Sequence, residues 1–388
     1  MQKACAGMGI NMDNKLEIKE WKETFNRGII NTGNLTRMNR VMKKAMAGEA
    51  VTIGFIGGSI TAGAMSNTPQ TCYAFLVYSW WKDKFPMSVV NYVNAGVGAT
   101  TSKFGVARVE EDLLQQNPDI VIVEFSVNDS DNDLFRETFE GLIRKILLYQ
   151  TEPALLMFNN VFYHTGANAQ RVHNQIGKFY DIPIVSMKES IYTEIEKGNI
   201  IASEISPDNL HPNDLGHKMV AGLLINRLDQ IFEAAQNNII AGSYSVPENT
   251  VTANRYFNSI RRSGRNTNPK LKGFTKDETI KENQWDVFTN GWFGGSKGSS
   301  ISFEVEGSMI SVQYRKYAKH PAPIANVVID HNEKTAIILD ANFDETWGDC
   351  LFLQDIIVNG VAGKHTVEIT IIEAVEEKAF YLASVITA

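Results

Sequence analysis

The first 240 residues alternate short apolar runs with segments in which apolar residues recur at helical spacing. The runs predict five β-strands and the segments between them predict helices, because the two spacings match the side-chain periods of strand and helix. The run at 120–125 is apolar almost throughout, which is typical of a parallel strand covered on both faces. Strands that alternate with helices indicate an α/β layered domain. The predicted strands are 51–56, 88–93, 120–125, 154–158 and 182–185.

The pattern changes near residue 240. The segment 241–290 is polar and carries a basic cluster, which we interpret as the solvated face of a linker or of an ordered decoration. Beyond it, apolar and polar residues alternate, as around Ile301 and Phe303, and glycines separate the alternating stretches. Short strands with little helix favour a β-sandwich, here of jelly-roll-like form. The predicted organisation is an α/β domain at 1–240 with an N-terminal extension at 1–34, a linker or decoration at 241–290 and a β-sandwich at 291–388.

Composition narrows the class of protein without choosing a function. The chain has 388 residues, which fits two domains of roughly 100–200 residues each. Hydrophobic residues make up 44% and charged residues 21%, so a disordered chain is excluded. The formal net charge of −7, with no long basic run, argues against nucleic acid or an anionic membrane as a partner. A soluble enzyme and a soluble binding protein remain.

Cysteines, histidines and the N-terminus add three expectations. The odd and sparse set Cys5, Cys72 and Cys350 does not indicate a disulfide framework, so we expect reduced, partly buried thiols. The histidines show no zinc-binding spacing, so we expect no metal site. The N-terminus lacks the pattern of a signal peptide, and no apolar run approaches the roughly 18 residues that span a bilayer. These patterns predict a cytoplasmic protein, unless a leader was removed before this numbering begins.

Two short polar stretches follow predicted strands. Gly57-Gly58-Ser59 ends the first strand and places a serine at a turn, which suits a nucleophile but also an ordinary helix cap. Asn128 follows the strand at 120–125, at the end of the strand where parallel sheets bind ligands. Its amide could donate to a developing oxyanion, or it could simply form a turn.

A third stretch, Asp208-Asn209-Leu210-His211-Pro212, precedes a predicted amphipathic helix whose first position suits Pro212. Asp208 and His211 are three residues apart in a tight loop, so the carboxylate can reach the imidazole. Such a contact fixes the tautomer of the imidazole and stabilises the imidazolium. His217, inside the helix, is interpreted as a surface histidine or as one whose hydrogen bonds are satisfied.

The order of these stretches resembles that of the SGNH hydrolases, also called GDSL esterases, along nearly all of residues 50–235. The resemblance implies a three-layer α/β/α, flavodoxin-like domain and a hydrolase that needs no cofactor. It implies that Ser59 is the nucleophile, His211 the general base and Asp208 its supporting carboxylate. It also implies an oxyanion hole made by the N–H of Ser59, the amide of Asn128 and a glycine N–H within 94–101.

Two departures from the family pattern concern glycines. The family often has Asp at the position of Gly58, and the change removes a side chain that supports the loop but none of the catalytic groups. The stretch at 94–101 is one residue shorter than the usual Asn-x-Gly-x-x-Gly. The oxyanion glycine is therefore Gly98 or, as the second choice, Gly96, and the N–H of Ala99 is a further alternative.

The catalytic residues do not fix the substrate. The stretch around Ser59 and the C-terminal β-sandwich are similar to those of SGNH carbohydrate esterases, and the two-domain pattern resembles carbohydrate esterase family 17 of gut bacteria. The resemblance implies a carbohydrate-binding-like second domain and an enzyme that removes O-acetyl groups from plant-derived oligosaccharides, with mannan oligosaccharides favoured. Trp347, in a loop-like setting, is the candidate substrate contact, although most aromatic residues of this domain are expected in its core.

Two other hypotheses remain open. A lipid esterase or thioesterase of the same superfamily would need an apolar acyl groove, and no lid-like apolar helix is evident. A non-catalytic carbohydrate-binding protein is disfavoured because every position of the catalytic triad is filled. A homo-oligomer is also left open as a partner of this chain.

Overall fold

A computed structural model describes residues 21–240, 242–358 and 360–388. The chain folds as two compact units. The first comprises residues up to Gly105 together with Val109–Asn254, and the second comprises Val106–Arg108 together with Arg255–Ala388. Cys5 and residues 1–20 of the predicted N-terminal extension lie outside the described residues. The described part of that extension contains a short helix and a short strand.

The first unit is built on a six-stranded sheet. Its strands are β1 (Ile29–Asn31), β2 (Val51–Gly57), β3 (Val90–Gly96), β4 (Ile120–Glu124), β5 (Ala154–Asn159) and β6 (Ile184–Ser186), in the order β1-β6-β5-β4-β2-β3. Strands β2 to β6 are parallel, as predicted, and their order is that of the flavodoxin-like fold. Strand β1 pairs antiparallel with β6. The sequence pattern does not reveal β1, because a three-residue strand is too short to display a period.

Helices cover both faces of this sheet, which confirms the predicted three layers. They are α1 (Lys22–Arg27), α2 (Thr36–Met46), α3 (Ser59–Ala62), α4 (Tyr73–Lys84), α5 (Ser102–Asp112), α6 (Asp133–Leu147), α7 (Gln170–Phe179), α8 (Thr193–Glu196), α9 (Ala202–Ile205) and α10 (Asp214–Gln236). Ile53 and Phe55 of β2 share one core with residues of α1, α2, α4 and α10. Gly54 between them points to the opposite face, where Leu113 packs against it.

Helix α10 begins two residues later than the sequence pattern suggests, at Asp214 instead of Pro212. Its N-cap is Asn213, whose side-chain oxygen accepts a hydrogen bond from the N–H of Gly216 at 3.0 Å. Pro212 therefore precedes the cap, and its expected place at the first helical position is wrong. An asparagine cap satisfies one of the N–H groups that a helix start leaves without a partner, which a proline cannot do.

The second unit consists of antiparallel strands in two sheets. Its strands are β7 (Ile260–Arg262), β8 (Lys270–Lys272), β9 (Phe274–Lys276), β10 (Trp292–Gly294), β11 (Ser300–Gly307), β12 (Ile310–Lys316), β13 (Ile324–Ile329), β14 (Ile337–Asp340), β15 (Cys350–Ile357), β16 (Gly363–Glu373) and β17 (Phe380–Thr387). One sheet has the order β14-β13-β16-β11-β8, and the other has β15-β12-β17-β10-β9 with β7 also on β17. Trp292 of one sheet meets Phe303 of the other at 5.2 Å between ring centroids, as expected for a sandwich.

The boundary between the units differs from the predicted one. The first unit continues to Asn254 instead of ending at residue 240. Within the predicted segment 241–290, the strands β7, β8 and β9 pair with strands of the two sheets. The part of this segment after Asn254 is therefore an ordered portion of the sandwich. Its polar composition reflects edge positions, where one side of a strand stays exposed.

Three expected absences can be compared with the described part of the chain. Among those residues, no helix combines the length and the apolar character needed to cross a bilayer. No cluster of three potential metal ligands is found within the same ranges. Cys72 and Cys350 are free and buried, and burial raises the pKa of each thiol to about 11.

Candidate active site

The first two candidate stretches lie at the ends of neighbouring strands. Strands β2 and β4 are paired in register, with Gly57 opposite Glu124. The order of the parallel strands reverses between these two, and open α/β sheets bind ligands in the crevice outside the carboxyl ends of the strands at such a point. Ser59 follows β2 and Asn128 follows β4. The fold therefore brings both residues to this crevice.

Ser59, His211 and Asp208 form one chain of hydrogen bonds. The Oγ of Ser59 lies 2.8 Å from Nε2 of His211, and Nδ1 of His211 lies 2.6 Å from Oδ2 of Asp208. With Nδ1–H donating to the carboxylate, Nε2 is left to accept from the serine hydroxyl. The imidazole is 21% exposed. All three residues singled out in the sequence are thus in contact, in the order that nucleophile activation requires.

The loop before α10 holds its own carboxylate in place. The Oδ1 of Asp208 accepts hydrogen bonds from the N–H of Leu210 at 3.0 Å and of His211 at 2.7 Å. Partial burial raises the pKa of Asp208, but these bonds and the bond from the His211 ring outweigh it and hold the pKa below its ordinary value. The carboxylate is therefore charged at neutral pH and can stabilise an imidazolium.

Glycines allow the turn at Ser59 to lie close to its neighbours. A Cβ at Gly57 would lie 2.1 Å from Oγ1 of Thr61, and a Cβ at Gly58 would lie 2.2 Å from Oδ1 of Asn128. The amide of Asn128 thus occupies the space that any side chain at position 58 would need. Gly58 and the Asn128 side chain are thus in close contact, which a side chain at position 58 would change.

The turn after β4 fixes Asn128. The N–H groups of Asn128 and Asp129 both donate to the carbonyl oxygen of Phe125, at 3.0 and 2.9 Å. The amide nitrogen of Asn128 has no hydrogen bond to another described residue, and its buried Oδ1 lacks one as well. A donor without a partner, beside the residue that precedes Ser59, is available to a negative charge that develops at the serine.

The stretch at 94–101 contains one candidate N–H group that is already hydrogen-bonded and two that are not bonded to any described residue. The N–H of Gly96 donates to Oδ1 of Asn94 at 2.9 Å, and the amide of Asn94 donates to the carbonyl oxygen of Thr61 at 2.7 Å. The N–H groups of Gly98 and Ala99 form no hydrogen bond within the described ranges. Ala99 has a left-handed backbone, with φ of 55°. The N–H groups of Gly98 and Ala99 therefore remain open to a ligand, whereas that of Gly96 does not.

Glu124, the last residue of β4, is a buried carboxyl group that sequence reasoning missed. Its Oε1 accepts hydrogen bonds from the N–H and the hydroxyl of Ser126, at 2.8 and 2.7 Å. Burial raises the pKa of Glu124 to about 7, although the bonds from Ser126 lower it. Glu124 is the one charged residue in the otherwise apolar run at 120–125, and this exception is the sequence signal that could have revealed it. Glu124 supports the turn that carries Asn128.

The segment that follows α3 is tied to α10. His217 accepts a hydrogen bond from the N–H of Tyr73 at 3.3 Å and donates to the carbonyl oxygen of Ala64 at 3.0 Å. Burial lowers the pKa of His217 to about 4, so the ring is neutral. Asp214 accepts from the N–H and the amide of Asn67, at 2.8 and 2.6 Å. His217 is a satisfied, buried histidine, which is one of the two interpretations of its sequence position.

Trp347 belongs to the second unit and lies in the loop between β14 and β15. Its side chain is 59% exposed, and its ring packs edge-to-face against Phe343 at 5.1 Å between centroids. In contrast, Trp292 is 1% exposed and belongs to the core of the sandwich. The exposed ring of Trp347 offers an apolar face that a sugar could stack on.

A family model described as GDSL-like lipase/acylhydrolase matches residues 55–219. Among curated proteins, Thioesterase 1/protease 1/lysophospholipase L1 of Escherichia coli strain K12 is 24% identical over 193 residues, which are 48% of this chain and 86% of that protein. The acetylxylan esterase of Geobacillus stearothermophilus is 23% identical over 203 residues, 45% of this chain and 92% of its own. Both similarities cover less than half of this chain.

Two solved structures are similar along almost the whole chain. The crystal structure of a two-domain esterase active on acetylated mannans is 47% identical, with a TM-score of 0.89, and the match covers 94% of this chain and 98% of that one. A second structure, of such an esterase co-crystallized with mannopentaose, is also 47% identical, has a TM-score of 0.87 and covers 94% of this chain and 97% of its own. These matches extend over both units.

The contact between Gly58 and Asn128 yields a first prediction. We expect Gly58→Ala to lower kcat by about 100-fold, because the new methyl group must displace the Asn128 amide, the oxyanion donor expected from the sequence, and loss of one such donor costs about 10²–10³ in rate. Steady-state hydrolysis of a small aryl acetate measures the effect. Gly295→Ala is the matched control, since a Cβ there meets no atom within 4 Å. Equal kcat in both variants would contradict the steric explanation.

The buried carboxyl of Glu124 predicts a pH dependence of stability. Because its pKa in the folded protein, about 7, lies above the ordinary value of 4.5, its contribution to stability is full below pH 4.5 and is lost as the pH rises to 7. The variant Glu124→Gln cannot titrate. We expect the free energy of unfolding of the native protein to fall relative to this variant between pH 4.5 and 7, and to run parallel to it above pH 7. Denaturant unfolding at a series of pH values measures both, and identical pH profiles would refute the assignment.

Proposed function

Because this chain belongs to the GDSL-like lipase/acylhydrolase family and to its two-domain esterases, we propose that it is a serine esterase that removes O-acetyl groups from oligosaccharides. The observation that carries the proposal is the hydrogen-bonded chain from Ser59 through His211 to Asp208. The three side chains come from two distant parts of the sequence and meet at the end of a parallel sheet. Their order is that of a catalytic triad.

The mechanism follows from the hydrogen bonds that join the three groups. His211 accepts the proton of Ser59 through Nε2 while the serine oxygen attacks the carbonyl carbon of the acetyl ester. Asp208 stabilises the imidazolium that forms. His211 then donates its proton to the leaving sugar hydroxyl, which leaves an acetyl-enzyme. Water, activated by the same imidazole, attacks the acetyl-enzyme and releases acetate.

The charge that develops on the carbonyl oxygen needs donors that are not otherwise engaged. We assign this role to the N–H of Ser59, the amide of Asn128 and the N–H of Gly98, with Ala99 as the alternative to Gly98. The Gly96 N–H is engaged with Asn94, which supports this choice. Donors fixed before the reaction lower the barrier without the reorganisation that water would require.

Acetylated mannan oligosaccharides are the substrate class that we favour. The support is the 47% identity to a two-domain esterase active on acetylated mannans, which extends over both units of this chain. In this proposal the second unit contributes to binding of the sugar, and the exposed Trp347 is its candidate contact. An indole ring can stack on the apolar face of a pyranose without fixing which hydroxyl is acetylated.

The triad predicts the effect of removing its nucleophile. We expect Ser59→Ala to lower kcat by at least about 10⁴-fold, as for other serine hydrolases, with the cooperative thermal unfolding unchanged. Release of acetate from an aryl acetate measures it. Ser203→Ala, an exposed serine of α9, is the control and should keep full activity. Turnover in Ser59→Ala at the native rate would remove Ser59 from the mechanism.

The substrate class is tested by competition among esters. We expect kcat/KM for acetylated manno-oligosaccharides to exceed that for acetylated xylo-oligosaccharides by about 10- to 100-fold, because contacts to the sugar change the free energy of the transition state by about 1–3 kcal/mol. A long-chain acyl ester should be the poorest substrate. Acetate release, with an assay of the free fatty acid for the long-chain ester, gives the three values. A preference for the long-chain ester would instead indicate a lipid esterase.

A further inference from the structure

We propose that Asp129 is a positioning residue that fixes the two turns of the oxyanion hole relative to each other. It follows Asn128 directly in the chain, and its side chain is fully buried. The catalytic cycle described above does not use it. The inference rests on the proposed function, since it concerns the donors assigned to Asn128 and Gly98.

One oxygen of Asp129 reaches the turn that carries Gly98. Its Oδ1 accepts a hydrogen bond from the N–H of Ser102 at 2.8 Å. Ser102 is the first residue of α5, and the N-cap residue Thr101 provides no side-chain hydrogen bond of its own. Asp129 therefore caps α5 from a different turn, with a carboxylate at the end of the helix that favours negative charge. The end of the Gly98 turn is thus attached to the residue next to Asn128.

The other oxygen of Asp129 is held by α7. Its Oδ2 lies 2.9 Å from Nε2 of His173, a ring that is 1% exposed and is stacked on Phe139 at 3.7 Å between centroids. The N–H of Ala169 donates to the carbonyl oxygen of Ser126 at 2.7 Å. Helix α7 thus holds the turn 126–129 at both ends. The carboxylate of Asp129 has one orientation, and that orientation fixes Ser102.

Misplacement of the two turns is expected to destabilise the transition state more than the bound substrate. The N–H of Gly98 and the amide of Asn128 must reach the same oxygen, and an error of a fraction of an ångström in either turn weakens both bonds. Such donors act most strongly when charge develops, so their misplacement lowers kcat and leaves KM nearly unchanged. A residue needed only for stability would not produce this separation.

The decisive experiment removes one N–H group. Ser102→Pro lacks the donor that Asp129 binds, and proline is tolerated at the first position of a helix. Thr101, with φ of −104° and ψ of 173°, already has the extended backbone that precedes a proline. Ser102→Ala is the matched control, because it loses only the hydroxyl, which bonds Thr138 at 2.6 Å.

We expect Ser102→Pro to have a kcat for an aryl acetate that is about 10- to 100-fold below that of Ser102→Ala, at equal KM, since a displaced donor costs no more than a deleted one. A boronic acid, which forms a tetrahedral adduct with the serine, should bind more weakly, so that its inhibition constant rises by the same factor. Equal kcat in the two variants would overturn the proposal.

Two substitutions of Asp129 keep the test open if the proline variant does not fold. Asp129→Asn retains the size and an acceptor for Ser102, and the His173 ring can exchange its tautomer, so we expect a kcat within about 3-fold of native. Asp129→Ala loses both bonds and should match Ser102→Pro. Equal losses in Asn and Ala would overturn the proposal, because they would show that the charge is what matters.

A control for buried carboxylates is available in the same unit. Glu140 is fully buried and accepts hydrogen bonds from Tyr180, Val251 and Thr252, none of which lies in the two turns. Glu140→Ala should lower the free energy of unfolding without changing kcat. An active Ser59→Ala variant would refute the proposed function, whereas an inactive one combined with equal kcat in Ser102→Pro and Ser102→Ala would refute the role of Asp129 alone.

Discussion

The active site depends on how closely two turns approach each other at the centre of the parallel sheet. Strands β2 and β4 are hydrogen-bonded neighbours, roughly 4.8 Å apart, so the residues that leave their ends share a narrow space. Gly58 makes this possible, since the amide of Asn128 lies where its Cβ would be. Strand adjacency, rather than the reach of long side chains, brings the serine turn to its amide donor. The loop that carries His211 joins these two turns through the contact of its Nε2 with the Oγ of Ser59.

The same constraint explains the buried polar groups behind the site. Glu124, Asp129 and His217 are all withdrawn from water, which costs free energy unless their hydrogen bonds are satisfied. Each of them binds a backbone group of a turn or helix start near the serine, the amide or the intervening segment. For Asp129 and His217 the hydrogen bonds that fix the turns offset the free energy of burial, whereas Oε2 of Glu124 has no hydrogen-bond partner among the described residues. Turns fixed in this way hold their donors in place before the substrate arrives, which is the condition for electrostatic catalysis.

The residues of the candidate site lie at strand and helix ends, which periodicity locates in the sequence. Ser59, Asn128 and the pair Asp208 and His211 could be found in this way. The close contact between Gly58 and Asn128 could not be predicted, since it arises only when the two turns approach each other in the folded chain. Asp129 and His173 are separated in the chain by α6 and β5, and the packing of α7 brings them into contact.

In an esterase, the groups that perform the chemistry differ from the groups that select the sugar. The relatives that align with less than half of it include a thioesterase and lysophospholipase as well as an acetylxylan esterase, so the catalytic fold is compatible with very different acyl and alcohol groups. A triad and an oxyanion hole contact only the atoms that every ester has in common. Selection among sugars must therefore come from groups that touch the ring, beyond the reacting carbonyl. Two relatives that match both units are esterases active on acetylated mannans, so the sugar specificity of this chain is best compared with theirs.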